Sequence, residues 1–121
     1  MAAFLSVLAV IVPNHDFEME RQLRLRDHAV AVAEARFDPR RAIVRPYRWK
    51  LLRMARCEST GRWFISTGNG YYGGLQFDLR TWWSVGGRGY PHQNSILEQM
   101  YRAVLLILRR GYAPWPICGY V

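Results

Sequence analysis

Residues 57–77 read Cys-Glu-Ser-Thr-Gly-Arg-Trp-Phe-Ile-Ser-Thr-Gly-Asn-Gly-Tyr-Tyr-Gly-Gly-Leu-Gln-Phe. A single acid, Glu58, stands there among Cys57, Trp63, Phe64, Tyr71, Tyr72 and Phe77. Apolar and aromatic surroundings disfavour the ionised form of a carboxyl group and raise its pKa. A raised pKa is what a general acid working near neutral pH requires. The plainer reading is a glutamate that ends a helix at the surface, and composition leaves both open. Residues 47–56 contain no Gly or Pro, and Pro46 suits a first helical turn. Glu58 then falls at or just past a helix C-terminus, whose partial negative charge adds to the cost of ionising it. An acid there breaks the usual preference for Lys or Arg, and such breaks concentrate at functional sites.

Downstream, Gly68, Gly70 and Gly73 make a formal G-x-G-x-x-G match. No hydrophobic strand precedes it, no helix follows, and the ribose-binding acid expected about twenty residues on is missing. Asn69-Gly70 predicts instead a tight turn joining two short strands in a hairpin. Residues 79–83 predict a short helix, with at least one of Trp82 and Trp83 buried. Ser95 followed by Glu98 is a capping box, Ser95 as N-cap and Glu98 reaching back to it. That gives Glu98 a structural task and removes it from the catalytic candidates. The helix it starts runs to about Arg110, burying Leu97, Tyr101, Val104, Leu105 and Leu108, and Gly111 ends it.

Cys57-Glu58-Ser59-x-Gly61-x-Trp63 followed by the run 67–77 resembles the catalytic domain of the resuscitation-promoting factors. These are actinobacterial peptidoglycan-cleaving proteins with a compact lysozyme-like fold. The likeness continues through Thr81-Trp82, Gly86-Gly87, Glu98-Gln99, Gly111 and the ending Trp115-Pro116-Ile117-Cys118, and covers residues 50–118. It implies an α+β fold: a small lysozyme-like domain, mostly helical with a short β-hairpin that walls a sugar cleft. It further implies Glu58 as catalytic acid and Trp63, Tyr71, Gln76 and Thr81 as substrate contacts. Cys57 and Cys118, which composition alone leaves as two unrelated thiols, become a disulfide. Closing a loop of that length contributes roughly 4 kcal/mol in the chain-entropy picture, and a bridge points to an oxidising compartment.

Glycosidases of the usual kind need two carboxylates flanking the bond. Residues 46–121 hold only Glu58, Asp78 and Glu98. Asp78 is a candidate second group, read here as a surface residue. One catalytic acid without a partner fits a lytic transglycosylase acting on the bond between N-acetylmuramic acid and N-acetylglucosamine. In that scheme the muramyl C6 hydroxyl is the nucleophile and neither metal nor cofactor is needed. A lysozyme-type hydrolase using Asp78 and a non-catalytic peptidoglycan-binding module are the alternatives. Several positions depart from the family pattern. Thr60 replaces a Gly after the acid, Arg62 sets a charge beside the cleft, and Leu51 stands where a Trp is usual. The 90–95 loop is short, and Arg110 replaces a frequent Gln near the substrate. These bear on subsite preference more than on the chemistry.

The 121-residue chain has a net charge of +8, and sixteen of its seventeen basic residues are Arg. Residues 1–45 carry seven Arg against six acids, whereas residues 46–121 carry ten basic residues against three. The positive field therefore belongs to the later part and suits a polyanionic partner. Nucleic acid is disfavoured, because the Arg residues are scattered and no nucleic-acid motif occurs. Residues 1–45 read as an N-terminal extension and residues 46–121 as the peptidoglycan-cleaving domain. Within the extension, an apolar run suggests a leader over 1–13, too short to span a bilayer. A polar helix follows over 16–37, with Phe17, Leu23, Val30 and Phe37 about a heptad apart, as a spacer or a surface for a protein partner. Residues 38–46 read as a linker. His15 and His28 lack metal-ligand spacing. The expected location is secreted or cell-wall associated, with a phage virion or conjugation apparatus as alternative.

Overall fold

The computed structural model describes residues 15–121, and the leader expected over 1–13 lies outside them. The described residues fall into two compact units divided between Asp38 and Pro39. In the first, α1 (His15–Arg36) is the expected polar helix. Asp16 and Glu18 sit in its first turn and Arg36 in its last, matching the helix dipole. Ion pairs Arg21–Glu18 and Arg24–Glu20 run along its surface. Phe17, Leu23 and Val30 are exposed, and the apolar residues do not gather into one face.

The second unit opens on helical structure. Residues 38–46, expected as a linker, contain helix α2 (Pro39–Val44) and the start of a 3-10 turn, Arg45–Tyr47. Pro39 starts α2 and Pro46 sits in the first turn of the 3-10 segment, so both prolines open helical structure rather than break it. α2 packs on α5 (Ile96–Arg110), and Val44 enters the core. Arg40 and Arg102 both ion-pair with the half-buried Glu98. Glu98 is thus a structural acid by another route than the capping box. Ser95 Oγ accepts from Glu98 N–H at 3.1 Å, but the Glu98 carboxylate turns to the two guanidiniums. Two charge-assisted contacts outweigh one bond to a backbone amide.

α3 (Arg48–Ser59) follows directly, burying Leu51, Met54 and Ala55. Its end is made by Thr60, left-handed at φ 56°, and Gly61 at φ 76°. The two expected strands do not form a ladder among the described residues. Tyr72 makes isolated antiparallel bridges to Ser66 on one side and Phe77 on the other. Gly68, Gly70, Gly73 and even Gln76 have positive φ, which breaks the extended backbone a ladder needs. The Asn69-Gly70 turn is present, with Asn69 Oδ1 accepting from Tyr71 N–H at 3.0 Å.

The short helix α4 (Leu79–Ser84) buries Trp82 completely and leaves Trp83 exposed. α5 is strongly amphipathic, but its buried face is turned from the expected one. Met100, Ala103, Val104, Leu106 and Ile107 are buried, Leu97, Tyr101 and Leu105 are partly buried, and Leu108 is 66% exposed. The core therefore runs along positions 100, 103, 104 and 107, the i, i+3, i+4, i+7 row. Phe77, Trp82 and Trp115 meet edge to face at its centre.

Candidate functional site

Glu58 is the next-to-last residue of α3, held on a helix whose other face is sealed into the core. It is half-buried, and burial pushes its pKa above the ordinary 4.5. No described side chain hydrogen-bonds or ion-pairs with its carboxylate. The neighbouring Ser59 fixes the end of the helix. Its buried hydroxyl lies 3.0 Å from Ala55 O and 2.9 Å from Gly74 O, and it accepts from Arg62 N–H. α3 is thereby clamped to the 73–77 loop beside the acid.

Two hollows run together in front of Glu58. One, of about 540 Å³, is lined by Cys57, Glu58, Asn69, Tyr71, Gln76 and residues 114–118. The other, of about 350 Å³, is lined by Tyr71, Gln76, Asp78, Thr81, Arg110 and residues 113–116 among others. Tyr71, Gln76 and residues 114–116 border both, which makes one continuous groove. Cys57 and Cys118 form a disulfide across 61 residues, their Cα atoms 5.6 Å apart. It ties the C-terminal wall of the groove to the helix that carries Glu58.

The groove floor is held by Trp115, whose Nε1 donates to Leu75 O at 2.9 Å. Gln76 has a left-handed backbone, φ 53°, that glycine would adopt more readily. Its Nε2 donates to Gly73 O at 2.9 Å, so the amide oxygen is the end available to a ligand. Asp78, read from sequence as a surface residue, is the half-buried N-cap of α4. Its carboxylate accepts from Thr81 N–H at 2.9 Å and from the Thr81 hydroxyl at 2.7 Å. Burial pushes its pKa up, but these bonds, with the N–H groups of Asp78 and Arg80, more than reverse that and leave it below 3.8. The two acids of the groove are thus moved in opposite directions, one towards the protonated form and one towards the ionised form. Among the described residues no group of three or more His, Cys, Asp or Glu is placed to hold a metal ion.

The profile of the transglycosylase-like domain family matches residues 46–118, well over half of the chain. The chain belongs to that family. It is 56% identical over 67 residues to the resuscitation-promoting factor of Micrococcus luteus, covering 55% of this chain and 30% of that protein. It is 47% identical over 66 residues to resuscitation-promoting factor RpfE of Mycobacterium tuberculosis, covering 54% of this chain and 38% of that protein. A resuscitation-promoting factor of Corynebacterium glutamicum is 44% identical over 70 residues, 55% of this chain and 36% of its own length. The chain thus spans about a third of the length of these relatives. Residues 46–118 are a resuscitation-promoting-factor-type domain of the lysozyme-like superfamily, and the mostly helical architecture is compatible with that fold.

In this transglycosylase-like domain Tyr71, Gln76 and Thr81 line the groove, whereas Trp63 does not. Expected as a substrate contact, Trp63 is only 7% exposed, and its ring covers Gly74 so closely that a Cβ there has no room. It borders a separate hollow with Val44, Leu52 and Met100. An indole gains more by filling the core than by facing water. Arg62, expected to charge the cleft, instead donates from Nε to Ser59 O at 2.8 Å, capping α3. Leu51 is fully buried in the core.

Three contributors were missed in the sequence. Gln99 is fully buried, its Oε1 accepting from Gly74 N–H and its Nε2 donating to Trp63 O and Asn94 O. It fastens the 73–77 loop from behind. Ser59 and Trp115 fasten the same loop from the helix and the C-terminal side. A polar residue on the apolar face of α5 was the one available signal, and it pointed to Gln99 alone.

Proposed function

We propose that this chain cleaves peptidoglycan as a lytic transglycosylase, acting on the β-1,4 bond between N-acetylmuramic acid and N-acetylglucosamine with Glu58 as general acid and base. The observation that carries this reading is a single half-buried carboxyl, raised in pKa by burial alone, in a groove with no free second acid. Protonated Glu58 gives its proton to the glycosidic oxygen as the bond to muramyl C1 breaks. The resulting carboxylate then takes the proton of the muramyl C6 hydroxyl while that oxygen bonds to C1. A 1,6-anhydro ring forms, Glu58 regains its proton, and no water is consumed. Tyr71 supplies an apolar face with a polar tip, the Gln76 amide oxygen accepts from sugar hydroxyl or acetamido N–H, and the Thr81 hydroxyl oxygen borders the same groove. Residues 46–121 supply this chemistry. The disulfide supports action in an oxidising compartment, at or beyond the cell surface. No helix among the described residues is long and apolar enough to cross a membrane.

Asp78 is the specific feature that favours a second reading, a two-carboxylate hydrolase. It borders the adjoining part of the groove and stays ionised, as a partner to a protonated Glu58 should. Against it, both of its oxygens are committed to Thr81. The test is digestion of purified peptidoglycan by the wild type, Glu58→Gln and Asp78→Asn, with soluble products weighed by mass spectrometry. Anhydro-muropeptides from wild type and Asp78→Asn, and none from Glu58→Gln, are the expected result. Reducing-end products lost in both variants would establish the hydrolase. Wall binding without any product would leave a binding module.

A further inference from the structure

The two hollows of the groove carry different charged groups. Glu58 borders one hollow, and Arg110 borders the other together with Asp78 and Thr81. Arg110 occupies the last turn of α5, where a cation also suits the helix dipole. Four other guanidiniums of this unit are committed to the fold. Arg40 and Arg102 hold Glu98, Arg62 caps α3, and Arg109 donates to Ser84 O at 3.0 Å. Arg110 is exposed, and its guanidinium has no hydrogen-bond or ion-pair partner among the described residues. Asp78 borders the same hollow but makes no ion pair with Arg110. An unpaired planar cation thus lines the groove.

A glycan strand offers that cation little, because its hydroxyl and acetamido groups carry no charge. The charges of peptidoglycan lie on the stem peptide, which leaves the muramyl residue through its lactyl group. We infer that Arg110 forms an anionic subsite that receives a free carboxylate of the stem peptide, so that the groove discriminates between carboxylated and amidated stems. The guanidinium fork matches a carboxylate in two parallel hydrogen bonds and loses that match when one oxygen becomes an amide nitrogen. This rests on the glycan-cleaving reading of the groove and adds to it the part of the substrate that is recognised.

The test measures binding separately from cleavage. The full chain carrying Glu58→Gln, so that the probe stays intact, is titrated with muropeptide oligomers whose stem carboxylates are either free or amidated. The free form is expected to bind about five-fold more tightly, the size of one partly exposed charge-assisted contact. Arg110→Gln added to that chain should bring the two affinities together, whereas Arg53→Gln, which lines neither hollow, should leave the preference intact. Equal affinities in the parent, or a preference that survives Arg110→Gln, would overturn the subsite while leaving cleavage by the wild type untouched. Failure of the folded protein to bind either probe would overturn the subsite and the glycan groove together.

Discussion

Glu58 and Asp78 are two carboxyl groups with contrary environments, and their pH behaviour follows from them. Burial raises Glu58, so the folded state holds its proton more tightly than the unfolded chain does. The stability linked to that group is present below the unfolded pKa and is lost as pH rises through the folded one. Glu58→Gln is therefore expected to melt higher than wild type near pH 7, the gap closing as pH falls through the folded value towards about 4.5. The same substitution should lower turnover by about 10²-fold or more, the usual size of a general-acid contribution. A stabler protein without activity would mark a functional acid; a less stable one would mark a structural acid. Asp78 runs the other way. Its hydrogen bonds stabilise the ionised form, so its contribution is present above the unfolded pKa and disappears as pH falls through the folded value. Asp78→Ala should cost about 1 kcal/mol at neutral pH through the lost cap, measured by urea unfolding. Thr60 carries a separate expectation. It is a β-branched residue in left-handed backbone at φ 56°, and Thr60→Gly should stabilise by about 1 kcal/mol.

The loop over 73–77 positions the groove without being a strand, and it depends on three side chains from three places. Ser59 holds it from α3, Gln99 from α5 and Trp115 from the C-terminal segment. Gln99→Leu should destabilise by about 3 kcal/mol, because it strands buried partners at Gly74, Trp63 and Asn94. Urea denaturation reads this directly, and a cost below about 1 kcal/mol would mean that the amide is not a tether. These tertiary bonds were illegible in the sequence, which shows spacing along one element but not which distant carbonyl an amide will meet. What was legible came from local rules: the helix ahead of Glu58, the Asn69-Gly70 turn, and the Ser95 cap and Gly111 stop of α5. Trp63 and the 39–44 segment answer to packing partners far along the chain, whereas Arg62 turns to Ser59, three residues away. The left-handed Gln76 likewise defeats a strand pattern that its residue type gives no reason to doubt.

The compact unit over 39–121 is small and is closed by one covalent staple. Linking residues 61 apart contributes roughly 4 kcal/mol by restricting the unfolded chain, a large share of the stability of such a domain. Reduction should therefore lower the midpoint of thermal unfolding sharply, and activity should fall in parallel because the bridge also anchors the groove wall. In the proposed mechanism a single acid sends its proton out to the glycosidic oxygen and regains one from the sugar's own hydroxyl. Digestion of purified peptidoglycan in water enriched with heavy oxygen tests this most directly. The expected products are anhydro-muropeptides that carry no heavy oxygen, formed by the wild type and abolished in Glu58→Gln. Reducing-end products with one heavy oxygen at C1 would contradict the proposed mechanism, since they require water in place of the C6 hydroxyl.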